Sequence, residues 1–323
     1  MSAPESLGSG ALQVRLGPLT LKNPILTASG TFGYGLAFTD FVDLSRLGGL
    51  CTKGLSLQPH AGNSPPRICE TPAGMLNAIG LQNVGAAVFI EEKLPRLRQL
   101  GATVIANVWG DVEEDYVAVV EALEKAEGLA AIELNISCPN VARGGMLFGN
   151  SPSATASLVR RVRAATRRPL IVKLSPNAPD LIESARAARE TGADVLSLVN
   201  TFVGMAIDPE TARPRLSFGT GGLSGPAIRP LAVRMVYQVA RALPDTPLMG
   251  IGGIEGLTDV LEFLAAGAWA VQVGTANFKD PGVSQRIVDE LEAYCSARGR
   301  SVASLIGRAL SSGTAAADAG AEG

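Results

Sequence analysis

Short apolar runs alternate with longer amphipathic stretches along most of the chain. The runs Pro24–Thr27, Leu50–Thr52, Thr103–Asn107, Ala131–Asn135, Leu170–Lys173, Val195–Val199, Pro247–Gly250 and Ala268–Val273 read as strands buried on both faces. Helical spacing follows over Phe38–Arg46, Ala86–Leu100, Val112–Lys125, Ser153–Thr166, Ala178–Thr191, Arg229–Ala242, Leu257–Ala266 and Pro281–Ala297. About eight strand–helix units predict an α/β fold, a (β/α)8 TIM barrel. A doubly wound open sheet is the alternative; it needs a reversal of strand order. Leu12–Leu21 alternates around Gly17-Pro18 and predicts an N-terminal β-hairpin at the bottom of the barrel. Leu55–Gly85 and Asn200–Pro226 read as long inserted loops over the barrel mouth; loops of that length are usually functional or disordered, and the apolar residues dotted through Leu55–Gly85 favour function. The pattern gives one domain over residues 1–310 and a disordered Ala/Gly/Ser-rich tail over 311–323.

Composition narrows the function. Of 323 residues 46% are hydrophobic, enough for a large core, and the formal charge is -2. That balance argues against nucleic acid as the main partner, since phosphate binding needs a basic face. No run of about 18 apolar residues appears, so no membrane span is expected. The polar N-terminus carries no basic-then-apolar signal, and the expected location is the cytoplasm. The four cysteines show no CxxC spacing, which leaves the chain without an iron–sulfur or zinc motif of its own. With His60 the only histidine, a general base must be His60, a carboxylate, a lysine or a cysteine.

The strand ends are where such a barrel gathers its chemistry. They carry Ser29, Lys53, Asn107, Asn135, Lys173, Asn200, Gly252-Gly253 and Gly274-Thr275. Two lysines and three asparagines are costly to bury without partners, so a polar ligand is expected at one rim. Glycine turns after the seventh and eighth strands let backbone N–H groups approach a phosphate. Ala131–Asn140 runs from a buried strand into a polar loop bearing Cys138, with Pro139 behind it. Free cysteines are usually inert, but polar neighbours make Cys138 a candidate. One phosphate site, two lysines and several amides fit FMN, with Lys173 or Lys53 near the flavin's pyrimidine edge. A Schiff-base lysine, as in an aldolase, is the rival; it leaves Cys138 and the asparagines unexplained.

Longer motifs then match a family. Met75–Asn83 (MLNAIGLQN), Asn135–Asn140 (NISCPN), Val172–Asn177 (VKLSPN), Asn200-Thr201 and Gly221–Ile228 (GGLSGPAI) closely resemble, in order, dihydroorotate dehydrogenases. The likeness is to the class I, B-type catalytic subunit and runs from about Leu12 to about Leu310. It implies FMN-dependent oxidation of dihydroorotate to orotate in pyrimidine synthesis, with Cys138 as the base at C5 and hydride leaving C6 for the flavin. It implies substrate contacts from Lys53, Asn77, Ala78, Ile79, Gly80, Leu81, Asn135, Asn200 and Thr201. FMN contacts are implied for Ser29, Lys53, Gly54, Asn107, Asn135, Lys173, Val199, Gly225, Gly252, Gly253, Gly274 and Thr275. The B-type resemblance further implies a homodimer joined to an electron-transfer subunit as a heterotetramer. That partner would carry FAD and a 2Fe-2S cluster and reduce NAD. His60 and the turn Lys53–Ser56 depart from the family's usual pattern. A flavin barrel acting on another dihydropyrimidine is the nearest other reading.

Overall fold

The computed structural model describes residues 10–136 and 148–312. Its strands are β1 Val14–Leu16, β2 Leu19–Leu21, β3 Ile25–Thr27, β4 Gly49–Cys51, β5 Ile68–Thr71, β6 Gly74–Asn77, β7 Val104–Val108 and β8 Leu129–Asn135. They continue as β9 Leu170–Lys173, β10 Val195–Leu198, β11 Phe202–Met205, β12 Ile207–Asp208, β13 Arg213–Pro214, β14 Thr220–Ser224, β15 Leu248–Ile251 and β16 Ala270–Val273. Eight of them close a barrel in the order β3-β4-β7-β8-β9-β10-β15-β16, with β16 pairing in parallel back onto β3. The open-sheet alternative is thereby excluded.

Strand side chains alternate between the interior and the helix layer, so residues two apart share a face. Leu26, Cys51, Ile105, Ala131, Ile171, Val195, Met249 and Ala270 form one buried apolar layer inside the barrel. The expected hairpin, β1 with β2, closes this layer from below with Leu16, Leu19 and Leu21. Two residues further along the same strands come Ala28, Lys53, Asn107, Glu133, Lys173, Ser197, Ile251 and Gln272. Two further still lie Asn135, Val199, Gly253 and Gly274. The barrel therefore turns from an apolar floor to a polar mouth within about one strand length.

Helices wrap the outside with their apolar stripes inward. Pro152–Ala165 buries Leu158, Val159 and Val162; Arg229–Ala242 buries Ala232, Met235, Val236 and Val239. Their starts obey capping chemistry: the Ser151 hydroxyl accepts from the Ala154 N–H and the Asp180 carboxylate from the Glu183 N–H.

Three expectations need correction. Phe38–Arg46 is not an α-helix; only a 3-10 turn, Leu36–Phe38, forms. The Asp43 carboxylate accepts from both the N–H and the hydroxyl of Ser45, a local alternative that competes with helix formation. Ala86–Leu100 is interrupted by a π-helical turn at Phe89–Lys93. The two long segments are not plain loops: they supply an antiparallel sheet in the order β11-β14-β6-β5. In it Asn77 stands opposite Gly222 on one side and Ile68 on the other. Arg308–Ser312 forms a short helix, and residues 313–323 lie outside the described part.

Candidate active site

The barrel mouth and the antiparallel sheet enclose a cleft of about 330 Å3. Barrel strand ends supply Ser29, Lys53, Gly54, Asn107, Asn135, Lys173, Val199, Asn200, Thr201, Gly252, Gly253, Gly274 and Thr275. The sheet and its flanks add Asn77, Ile79, Gly80, Leu81 and Gly225. Every sequence-identified site residue among the described ones lines this one cleft, apart from Ala78. Ala78 is fully buried, and its N–H donates to the Arg67 carbonyl. Cys138 lies outside the described residues.

The cleft has a cationic side. Lys173, on β9, is 5% exposed, and no described residue hydrogen-bonds or ion-pairs with its ammonium. A buried cation without an anion is costly, which makes it a place for an anionic or electron-rich ligand group. Lys53 follows β4. Burial, and next the positive charge of Arg67, hold its ammonium below the usual lysine range. The Arg67 guanidinium is itself held by the Gln82 side-chain carbonyl at 3.0 Å.

The asparagines form a neutral wall. Asn200 Nδ2 donates to Asn135 Oδ1 at 3.1 Å, and Asn77 Nδ2 donates to the Gly222 carbonyl at 3.2 Å. The Tyr116 hydroxyl, from the helix Glu113–Glu124, donates to the Asn135 carbonyl at 2.8 Å and anchors the end of β8. Amide edges of this kind can donate to and accept from a flat heterocycle that carries both N–H and C=O groups.

The opposite end of the cleft is built from backbone. The N–H groups of Gly252, Gly253, Gly274 and Thr275 make no hydrogen bond to any described residue. Four donors without a described partner, all on residues that line the cleft after β15 and β16, suit an anion. Arg229, at the start of its helix, is tied to Asp259 and Glu262, so the cradle relies on N–H groups rather than on that cation. Gly253 has φ +70°, and a Cβ there would stand 2.8 Å from the Gly225 carbonyl.

Several cleft residues were not foreseen. Ile68, Met75, Ile228, Ile251 and Phe278 give one wall an apolar surface. Ile68 and Met75 lie on β5 and β6, whose existence the Gly/Pro-rich sequence concealed. Glu133 was also missed as a site element, although an acid inside the run Ala131–Asn135, in phase with Asn135, was a visible signal. His60 sits apart from the chemistry: its N–H pairs with the Asn83 carbonyl and its ring meets Trp109 edge-on. Among the described residues no group of acids, histidines and cysteines could hold a metal, and no helix is long and apolar enough to cross a membrane.

Comparison with known proteins agrees with this geometry. The family model described as Dihydroorotate dehydrogenase matches residues 11–295. A Trichlorobacter lovleyi protein is 54% identical over 298 residues, covering 92% of this chain and 98% of the relative. One from Geobacter sulfurreducens is 55% identical over 288 residues, covering 89% and 94%. One from Bacteroides thetaiotaomicron is 52% identical over 297 residues, covering 92% and 98%. All three are named dihydroorotate dehydrogenase B (NAD(+)), catalytic subunit.

Proposed function

From the premise that the chain belongs to the dihydroorotate dehydrogenase family, we propose that it is the catalytic subunit of a B-type enzyme that oxidises dihydroorotate to orotate with FMN. The observation that carries this reading is the cleft itself. A buried lysine with no anion beside it among the described residues, an amide wall and a four-donor cradle line one cavity of small-molecule size.

The residues present fit FMN. The free N–H groups of Gly252, Gly253, Gly274 and Thr275 suit its phosphate, and Lys173 suits the electron-rich edge of its ring. Asn107 Oδ1 and Gln272 Oε1 are buried without partners, and Asn107 lines the cleft, so an acceptor waits there for a ligand donor. When bound, FMN supplies the hydride acceptor for substrate C6. Lys53 neutralises the substrate carboxylate, while Asn77, Asn135 and Asn200 read the ring's N–H and C=O edges and hold it flat. Cys138, as thiolate, takes the proton from C5, and the electron pair of that C–H bond becomes the second bond between C5 and C6. A free thiol titrates near about 8.5, so the base gains strength as pH rises toward that value.

The relatives' shared designation, catalytic subunit, supports a complex. We place the FAD, the 2Fe-2S cluster and NAD on an electron-transfer subunit that joins two copies of this chain in a cytoplasmic heterotetramer. The test is turnover of the purified chain with dihydroorotate. Orotate should form with an artificial dye as acceptor, and NAD should serve only once the second subunit is added. No orotate with any dye rejects the assignment.

A further inference from the structure

Beneath the cleft, the fully buried carboxylate of Glu133 accepts three hydrogen bonds. Asn107 Nδ2 donates to Oε1 at 2.7 Å, Gln272 Nε2 to Oε2 at 2.6 Å and the Ser197 hydroxyl to Oε2 at 3.0 Å. The donors come from β7, β16 and β10, so one side chain of β8 ties together four strands of the barrel. No cation of the described residues lies within ion-pair distance of it. That is an expensive arrangement unless the donors themselves are what it is there to hold.

The consequence is directional. A carboxylate can only accept, so the two amides that meet it must do so through their nitrogens. Their oxygens are thereby turned away, and both are left buried without partners. For Asn107 the free oxygen lies against Gly54, where an added Cβ would come within 3.0 Å of it, and both residues line the cleft.

We infer that Glu133 is a positioning residue: it locks Asn107 with its carbonyl oxygen toward the cleft, so that the site selects a ligand group bearing an N–H. This rests on the flavin reading above, and the flavin ring supplies such a group at N3. An asparagine free to flip would present either an oxygen or an NH2 there; the locked one refuses a carbonyl. Neutralising Glu133 removes the selection, because a glutamine at 133 can accept from Asn107 Nδ2 through its carbonyl or donate through its NH2 to Oδ1 of a flipped Asn107.

The test is a double-mutant cycle read as FMN affinity, by fluorescence titration of flavin-stripped protein, with apo-protein melting recorded beside it. Glu133→Gln should weaken FMN roughly tenfold, the size of one buried hydrogen bond lost. In an Asn107→Ala background the same change should cost less than about twofold, because Glu133 acts through Asn107. Glu133→Asp keeps the charge but withdraws it by one methylene; it should give a smaller, equally coupled loss, and it carries the cycle if the glutamine variant does not fold. An undiminished loss in the Asn107→Ala background, or no loss of FMN from Glu133→Gln, overturns the inference. Wild-type protein that takes up no FMN defeats the cofactor reading itself, a different result.

Discussion

Gly225 joins the mouth sheet to the barrel, and alanine there is a demanding test of how the cleft is held. Its backbone is at φ 95°, ψ -170°, a region nearly closed to residues with a Cβ. The residue follows β14 and precedes the turn Pro226–Ile228, and Ile228 then leads into the helix Arg229–Ala242. A Cβ on it would stand 2.7 Å from the Gly74 Cα, which is backbone and cannot rotate away. The strained conformation costs about 1–3 kcal/mol. The overlap with Gly74 adds about 1–3 kcal/mol, part of which is relieved if the β5–β6 hairpin moves outward. A net loss of about 2–4 kcal/mol follows, and at about 1.5 °C per kcal/mol for a chain of this length the melting point of the apo-protein should fall by roughly 3–6 °C. The relief has a functional cost. Moving Gly74 shifts Met75 and Asn77, which line the cleft, and separates the hairpin from the Ala227 N–H that donates to the Ala73 carbonyl at 2.9 Å. FMN affinity should therefore drop more than about tenfold, as for loss of one well-made contact set. Thermal denaturation followed by circular dichroism, and FMN titration, check both numbers. Gly256→Ala, at extended backbone with nothing within 4 Å of the new Cβ, should change either quantity far less. A Gly225→Ala protein with the wild-type melting point and FMN affinity would refute the reasoning.

Other perturbations address the chemistry. Lys53 loses its proton below the usual lysine pH because burial and Arg67 disfavour the charge. Orotate affinity should thus fall on the alkaline side before an ordinary lysine would titrate, and Arg67→Ala should move that limb to higher pH; a pH series of orotate titrations followed by flavin absorbance reads it. The same lowered value means that the unfolded chain holds the proton longer, so Lys53 adds stability to the ligand-free protein as pH rises through its folded value. Lys173→Ala should make the flavin harder to reduce, lowering its two-electron midpoint potential by about 30 mV for each 1.4 kcal/mol of lost attraction; an unchanged potential would place the lysine elsewhere in function. Cys138→Ser should cut turnover by about 10²–10⁴ while FMN affinity stays constant. An unaltered pH–rate profile in that variant would remove the thiol from its role as base.

The barrel was legible because its strands are short apolar runs and its helices keep a 3.6 period; β9 and the helix Arg229–Ala242 match their sequence boundaries to the residue. The mouth sheet was not, because its strands are only four or five residues long and three of the four contain glycine. The pairing that joins its two halves is remote in sequence: Asn77 stands opposite Gly222, 145 residues on, with β7 to β10 between them. The rim residues could be read from strand ends, since strand parity carries Lys53, Asn107, Asn135 and Lys173 to one mouth. Glu133 could not be given a role that way: its three donors sit on three other strands, and nothing local to its own marks them.

The central claim is that this ring of strand ends holds a flavin face to face with dihydroorotate. The most direct measurement is the visible spectrum of the purified protein under anaerobic conditions, before and after dihydroorotate is added. The account predicts a yellow protein with oxidised-flavin absorption that bleaches in the time of mixing, with orotate formed in equal amount to the flavin reduced. A colourless protein that cannot be loaded with FMN, or a flavin that stays oxidised in excess dihydroorotate, would contradict it.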